Sequence, residues 1–123
     1  MNDLKVQSID KELEKLENIG GIIGTAIVKR NGLLISSKLP RDIDERKFGA
    51  MAATMYEAIE AAVSTLEKNQ ISHLTVEFNE YQLIIVAVDD NMILVSLMDL
   101  NINLGLILIE IEESIKNIKK NNN

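Results

Sequence analysis

Residues 81–98, which read YQLIIVAVDDNMILVSLM, decide the fold of this chain. The stretch contains two aliphatic runs, at 81–88 and 92–98, with the polar turn sequence Asp89-Asp90-Asn91 between them. Successive side chains of a strand point to opposite faces, so these runs predict strands that are apolar on both faces. Because the link between them is short, the strands are antiparallel neighbours. The stretch therefore predicts the central strands of an antiparallel sheet with helices on both faces.

Three further strands are predicted upstream of this pair. Residues 72–78 alternate between apolar and polar side chains, and the turn Asn79-Glu80 joins them to the central strands. Apolar runs at 24–29 and 33–37 flank Asn31-Gly32, the dipeptide most typical of a type I′ hairpin turn. The sequence therefore predicts a hairpin that completes a five-stranded sheet.

Helical spacing of apolar residues predicts three helices around this sheet. The first begins after Ser8, which can serve as its N-cap, and ends at Gly20-Gly21. The second is the longest, at about residues 45–69, and Asp42 stands where a capping residue is expected. The third helix starts near Asn103.

The elements follow the order αββαβββα, which is an α+β fold with a five-stranded antiparallel sheet and helices on both faces. A length of 123 residues suits one domain. The pattern assigns that domain to residues 1–123, with its core at about 9–119 and a polar C-terminal tail at 119–123 that is expected to fray.

The long helix is apolar or small on more than one face. Its core-facing stripe comprises Phe48, Met51, Met55, Ile59, Ala62, Val63 and Leu66. A second stripe beside it comprises Ala50, Ala53, Met55, Ala58, Ala61 and Ala62. Helices of this kind are usually buried twice, once on their own sheet and once on another element or chain. The second stripe is therefore predicted to contact a second chain.

Composition argues against several classes of function. The chain has 13 basic and 19 acidic residues, a net charge of −6, which opposes binding to nucleic acid or to an anionic membrane. It has no cysteine and one histidine, which argues against disulfides, thiolate chemistry, zinc sites and a catalytic triad. Because no apolar run resembles a signal peptide or a membrane span, we expect a cytoplasmic, non-enzymatic domain.

Three short segments or residues could carry chemistry, but the fold explains each of them better. The glycines of Gly20-Gly21-Ile22-Ile23-Gly24 precede a strand and lack the Lys-Ser/Thr of a phosphate loop. Asp89-Asp90 belongs to no cation-binding motif, and His73 has no nucleophile or carboxylate suggested around it. The sequence therefore predicts no catalytic residue, no cofactor and no metal site.

Several segments together carry a family resemblance. Residues 24–28 run into 31–36 across the hairpin, the long helix is rich in Ala and Met, residues 83–88 form a central strand, and residues 103–106 open the last helix. By the order and spacing of these segments the chain resembles the Roadblock/dynein-light-chain family over nearly its whole length. The longin and profilin-like folds share parts of the same architecture.

The resemblance implies a homo- or heterodimer in which the long helices pack together and the third strands pair edge to edge. The double apolar face of the long helix and the unprotected strand at 72–78 predict that this dimer is a homodimer. The expected contacts on the long helix are those of its second stripe, Ala50, Ala53, Met55, Ala58, Ala61 and Ala62. The expected contacts on the edge strand are His73, Leu74, Thr75, Val76, Glu77 and Phe78.

The resemblance also implies a function, because many members of the family act with small Ras-like GTPases. The expectation is a dimeric, non-catalytic interaction module that binds or regulates such a GTPase. Two alternatives stay open: a structural scaffold subunit of a motor or motility complex, and a small-ligand sensor of profilin-like architecture. An arginine finger is not favoured, because Arg30 lies beside a turn and Arg41 and Arg46 flank the start of the long helix.

Overall fold

The computed structural model describes residues 3–66 and 71–121. The helices are α1, Asp3–Glu17; α2, Glu45–Val63; and α3, Leu104–Asn121. The strands are β1, Ile22–Lys29; β2, Leu34–Lys38; β3, Leu74–Phe78; β4, Tyr81–Ala87; and β5, Met92–Asp99. The order αββαβββα and the α+β class predicted from the sequence are confirmed.

The five strands form one antiparallel sheet in the order β2-β1-β5-β4-β3. β5 lies at its centre between β1 and β4, and most residues of β4 and β5 are buried. These are the two strands that residues 81–98 predict to be central. Their aliphatic side chains point to both faces, and only a sheet covered on both faces removes all of them from water.

The helices create two separate cores. α1 and α3 pack on one face, over a cluster that includes Ile84 and Leu94, and α2 packs on the other face, over Ile85 and Ile93. Adjacent residues such as Ile84 and Ile85 thus belong to different cores, as the alternation of side chains along a strand requires.

Two predicted helix caps are wrong. α1 starts upstream of Ser8, whose Oγ accepts a hydrogen bond of 2.8 Å from Asn121 Nδ2 of α3. α2 is capped by Asp44 rather than Asp42, and the Asp44 carboxylate accepts a hydrogen bond of 3.1 Å from the Lys47 N–H. Asp44 takes this role because it directly precedes the first helical residue in an extended conformation.

The other helix ends agree with the prediction at the start of α3 and differ from it at the ends of α2 and α3. α2 ends at Val63, where the Ser64 N–H still donates to the helix, and the predicted helical residues 67–69 lie outside the described residues. α3 follows Asn103, whose Oδ1 accepts a hydrogen bond of 3.2 Å from the Leu106 N–H. The helix continues to Asn121, so the first residues of the tail that was expected to fray are helical.

The hairpin between β1 and β2 is present, but its turn is not of the predicted type. A type I′ turn needs positive φ at both Asn31 and Gly32, and only Gly32 has it, at 95°. The Gly32 N–H instead donates to the Lys29 carbonyl at 2.8 Å, and the Lys29 N–H donates to the Leu33 carbonyl at 2.8 Å. The loop therefore has three residues, with glycine in its left-handed position.

Candidate interaction surfaces

α2 covers only part of its face of the sheet. Its backbone approaches β2, β1 and β5, and its buried residues are Gly49, Ala52, Ala53 and Tyr56. Gly49 allows this close approach, because a Cβ there would meet Val28 Cγ2 at 3.3 Å. A helix is about 10 Å wide and strands are spaced at about 4.8 Å, so β3, at the far edge of the five-stranded sheet, lies beyond α2.

The outer face of α2 is apolar and exposed. Met51 is 62% exposed, and Ala50 and Thr54 beside it are exposed as well. The Thr54 hydroxyl donates to the Ala50 carbonyl at 2.9 Å, so part of its polar capacity is used within the helix. A shallow depression of about 410 Å³ lies here, lined by Lys47, Ala50, Met51, Thr54 and Met55. This surface has the small and flexible side chains that close helix contacts use.

The structure places most residues of the predicted second stripe outward, with one correction. Ala50, Ala58, Ala61 and Ala62 are exposed, and Met55 is half-buried at the edge of the α2 core. Ala53 is only 4% exposed, because it lies next to Ala52 and one turn before Tyr56 on the side that faces the sheet. Ala53 therefore cannot belong to the outer face.

Met51 lies on the outer face, although its spacing in the sequence fits core filling as well as an adaptable binding surface. It shares the first stripe with Leu66, and both side chains are 62% exposed. The sequence also contains a row of residues at three- and four-residue spacing that would place Met51 on the outer face. The exposed members of this row, which we call the α2 row, are Lys47, Met51, Thr54, Ala58, Ala61 and Thr65.

Within residues 3–66 and 71–121, β3 lies at one edge of the sheet and pairs only with β4. Leu74 and Val76 are half-buried on the α2 side, and Phe78 on the same side is 42% exposed. The rings of Phe78 and Tyr81 lie 6.0 Å apart, so an exposed aromatic pair ends the strand. The remaining predicted edge residues divide between Thr75, which is half-buried, and His73 and Glu77, which are exposed.

A charged cluster fixes α2 to the hairpin turn. The Arg30 guanidinium lies 5.0 Å from the centre of the Tyr56 ring, and its Nη1 donates to both carboxylate oxygens of Glu60 at 2.6 Å. Its Nη2 donates to the Asp89 carbonyl at 3.4 Å. Burial lowers the pKa of Arg30, but the hydrogen bond and charge of Glu60 outweigh burial and raise it overall. Arg30 is thus held in an anchoring role.

Burial and the neighbouring charge act on the pKa of Tyr56 in the opposite directions to those on Arg30. Burial raises the pKa of the Tyr56 hydroxyl above its usual value, and the positive charge of Arg30 counteracts part of this rise. A cavity of about 460 Å³ lies beside the cluster, lined by Arg30, Asn31, Ala53, Tyr56, Glu57, Glu60 and Ile93. Two of its charged side chains, Arg30 and Glu60, are hydrogen-bonded to each other.

The polar features singled out in the sequence have structural roles or lie exposed. Asp89 Oδ1 accepts hydrogen bonds from the Asn91 and Met92 N–H groups, at 2.7 and 2.9 Å, and so shapes the turn. Gly21 has a φ of 96° and leads from α1 into β1. Within residues 3–66 and 71–121 no group of three His, Asp or Glu side chains is arranged to hold a metal ion. None of the described helices is long and apolar enough to cross a bilayer.

Comparison with known proteins gives consistent matches. A family model described as the Roadblock/LC7 domain matches residues 8–97. The protein MJ1340 of Methanocaldococcus jannaschii, described as uncharacterized, is 32% identical over 111 residues, which cover 90% of this chain and 96% of that protein. MglB of Myxococcus xanthus has a TM-score of 0.90 at 21% identity, over 98% of this chain and 91% of that chain. The gliding protein MglB of Thermus thermophilus has a TM-score of 0.87 at 14% identity, over 98% and 93%.

Proposed function

The chain belongs to the Roadblock/LC7 domain family, and on this basis we propose that it is a homodimeric, non-catalytic module that binds and regulates a small Ras-like GTPase. The observation that carries the proposal is the exposed apolar face of α2, centred on Met51 at 62% exposure. Exposed apolar surface rimmed by polar residues is typical of protein interaction sites.

The outer face of α2 favours contact with a second α2. Ala58 and Ala61 are small and exposed, so two helix backbones can approach closely along them. Met51 is flexible and can fill the gaps that remain. The α2 row repeats at alternating four- and three-residue steps, which is the spacing with which one helix presents a continuous side to another.

The edge strand β3 offers a second contact between the same two chains. In the part of the chain that the structure describes, one side of β3 has no paired strand. Its sequence Leu-Thr-Val-Glu-Phe contains neither the lysine nor the proline that commonly protects a sheet edge. Pairing with a second β3 would satisfy the open N–H and C=O groups and extend the sheet. The exposed Phe78 and Tyr81 on the α2 side would then lie near the junction of the two sheets.

The joined α2 helices would form the platform for the GTPase. A single GTPase bound across the two-fold axis gives a complex of two chains to one partner. The net charge of −6 favours a basic patch on that partner, so association should slow as salt rises. The glycines at 20–24 supply no phosphate loop, and Arg30 is bonded to Glu60, so the chain contributes a surface rather than chemistry.

The first experiment measures mass. Sedimentation at low micromolar concentration should give twice the monomer mass of 13.7 kDa. A clean monomer would contradict the homodimer and, with it, the two-fold platform.

The second experiment adds the partner. Ras-like GTPases from the same source, loaded with GDP or with a GTP analogue, are mixed with the chain and separated by gel filtration. We expect a complex of two chains to one GTPase that prefers one nucleotide, a changed rate of hydrolysis, and no turnover of GTP by the chain alone. GTP hydrolysis by the chain alone would overturn the non-catalytic assignment. A dimer that binds none of these GTPases would favour the motility scaffold.

A further inference from the structure

A second exposed apolar surface lies on α3, on the face of the sheet opposite α2. Leu106 and Ile109 are each 62% exposed. Their neighbours Ile107 and Ile111 are buried in the core on this face of the sheet. The two exposed side chains are three residues apart and therefore adjacent on the helix surface. The proposed dimer and its GTPase platform use the other side of the molecule, so neither accounts for this pair.

The apolar pair begins a regular row along the outer side of α3. The row, which we call the α3 seam, comprises the exposed residues Leu106, Ile109, Glu113, Lys116 and Lys120. Its steps of three and four residues keep one side of the helix facing a partner, as in a coiled coil. α1 leaves the seam open because it packs beside α3, where Asn117 Nδ2 donates to Glu12 Oε1 at 3.2 Å.

The charges of the α3 seam are available for a partner. Within residues 3–66 and 71–121, Glu113, Lys116 and Lys120 take part in no ion pair. The seam therefore presents, from its N-terminal to its C-terminal end, two apolar side chains, one carboxylate and two ammonium groups. Such an order of apolar and charged groups selects a partner by charge as well as by shape.

We propose that the α3 seam binds an amphipathic helix of a different protein, with an apolar pair against Leu106 and Ile109, a basic side chain opposite Glu113, and acidic side chains opposite Lys116 and Lys120. Helix-on-helix docking of this kind uses apolar anchors at three- and four-residue spacing. The flanking charges set the register and the direction of the bound helix.

A second copy of α3 does not fit this surface. Parallel pairing would set Glu113 against Glu113 and each lysine against the same lysine. Antiparallel pairing along the whole seam would set Leu106 and Ile109 against the lysine end. An antiparallel copy can join the two apolar pairs only by overlapping the first turns, which leaves the charged half of each helix unpaired. The order of charges therefore favours a different chain over a second copy.

The test uses the full chain and labelled synthetic helical peptides. One peptide carries Leu, Leu, Lys, Glu and Glu at the seam spacing, and a second carries the same row in reverse order for antiparallel binding. Each has a control of identical composition in which Lys exchanges place with the neighbouring Glu. Fluorescence anisotropy at low salt measures the four affinities. We expect one of the two complementary peptides to bind roughly threefold or more tightly than its control.

Substitutions in the chain locate the site. Glu113→Lys should abolish the preference between peptide and control, because each of them then makes one like-charge and two opposite-charge pairs with the seam. Asp42→Lys makes the same change in net charge on an exposed loop before α2 and should leave the preference intact. Leu106→Ser with Ile109→Ser should weaken binding by about tenfold or more. Both sites are exposed, so circular dichroism of these variants should match that of the parent.

Three results would overturn the proposal. The complementary peptides could bind no better than their controls, or Glu113→Lys and Asp42→Lys could have equal effects. The Leu106→Ser, Ile109→Ser variant could also lower the sedimentation mass of the chain, which would make a second copy the occupant of the seam.

Discussion

Replacing Ala58 by glutamate tests the proposed dimer contact on α2 directly. Ala58 is exposed in the folded chain and belongs to the α2 row. Alanine and glutamate differ in helix propensity by less than about 0.5 kcal/mol, so the substitution should leave the folded monomer nearly unchanged. Its effect should appear when two α2 helices meet.

The expected size of the effect follows from charge burial. An unpaired charge removed from water in an interface costs several kcal/mol, and two-fold symmetry places one such charge on each chain. If partial exposure reduces the cost to about 2 kcal/mol per chain, the dimer loses about 4 kcal/mol. Because about 1.4 kcal/mol corresponds to a tenfold change, the dissociation constant should rise by roughly a thousandfold.

Sedimentation velocity over a range of concentrations measures this change. The matched control is Gln7→Glu, which adds the same charge at an exposed position of α1, on the opposite face of the sheet. We expect Gln7→Glu to remain dimeric and Ala58→Glu to sediment as a folded monomer with a parent-like circular dichroism spectrum. If Ala58→Glu stays dimeric at the same concentrations as the control, the contact lies elsewhere.

Three further predictions concern stability, measured by urea unfolding. Arg30→Ala should lower the free energy of unfolding by about 1–2 kcal/mol, because it removes the hydrogen bonds to Glu60. This value allows for solvent screening, since the two side chains are 30% and 38% exposed. An unchanged unfolding midpoint would contradict the anchoring role. Gly24→Ala should lower the free energy of unfolding by about 1–3 kcal/mol, because the added Cβ would lie 2.9 Å from the Lys38 carbonyl oxygen. An unchanged free energy would contradict this close fit and mean that β2 can shift. Because the pKa of Tyr56 is raised by folding, its contribution to stability is complete at lower pH and should decline as the pH rises through about 10; Tyr56→Phe should show a smaller decline, and an equal decline would assign the effect to other groups.

The fold could be predicted because its determinants are local. Two strands apolar at successive positions, 81–88 and 92–98, require cover on both faces wherever they lie in the sheet. The alternation at 72–78 and the glycine of the hairpin likewise depend on neighbours in sequence. The helix caps failed at Ser8 and Asp42, because several polar residues near each helix start could cap it and only packing selects which one does.

The interaction surface depended on contacts that sequence spacing leaves open. A helix with apolar or small residues on more than one face can be rotated about its axis without violating its pattern, so Met51 and Ala53 could be assigned to either side of α2. The sheet decides between them through Gly49, Ala52 and Tyr56, which fit closely against β1 and β5 and turn Ala53 inward and Met51 outward.

The sequence by itself determined the element order, the central strands and the predominance of aliphatic core residues, since each follows from periodicity over a few neighbouring residues. Only the tertiary structure decided which side of α2 is exposed, that Arg30 reaches Glu60 across 30 residues of chain, and that the outer side of α3 carries an uncovered apolar pair. These features arise where segments distant in sequence meet, and their geometry is set by how the two cores pack on opposite faces of one sheet.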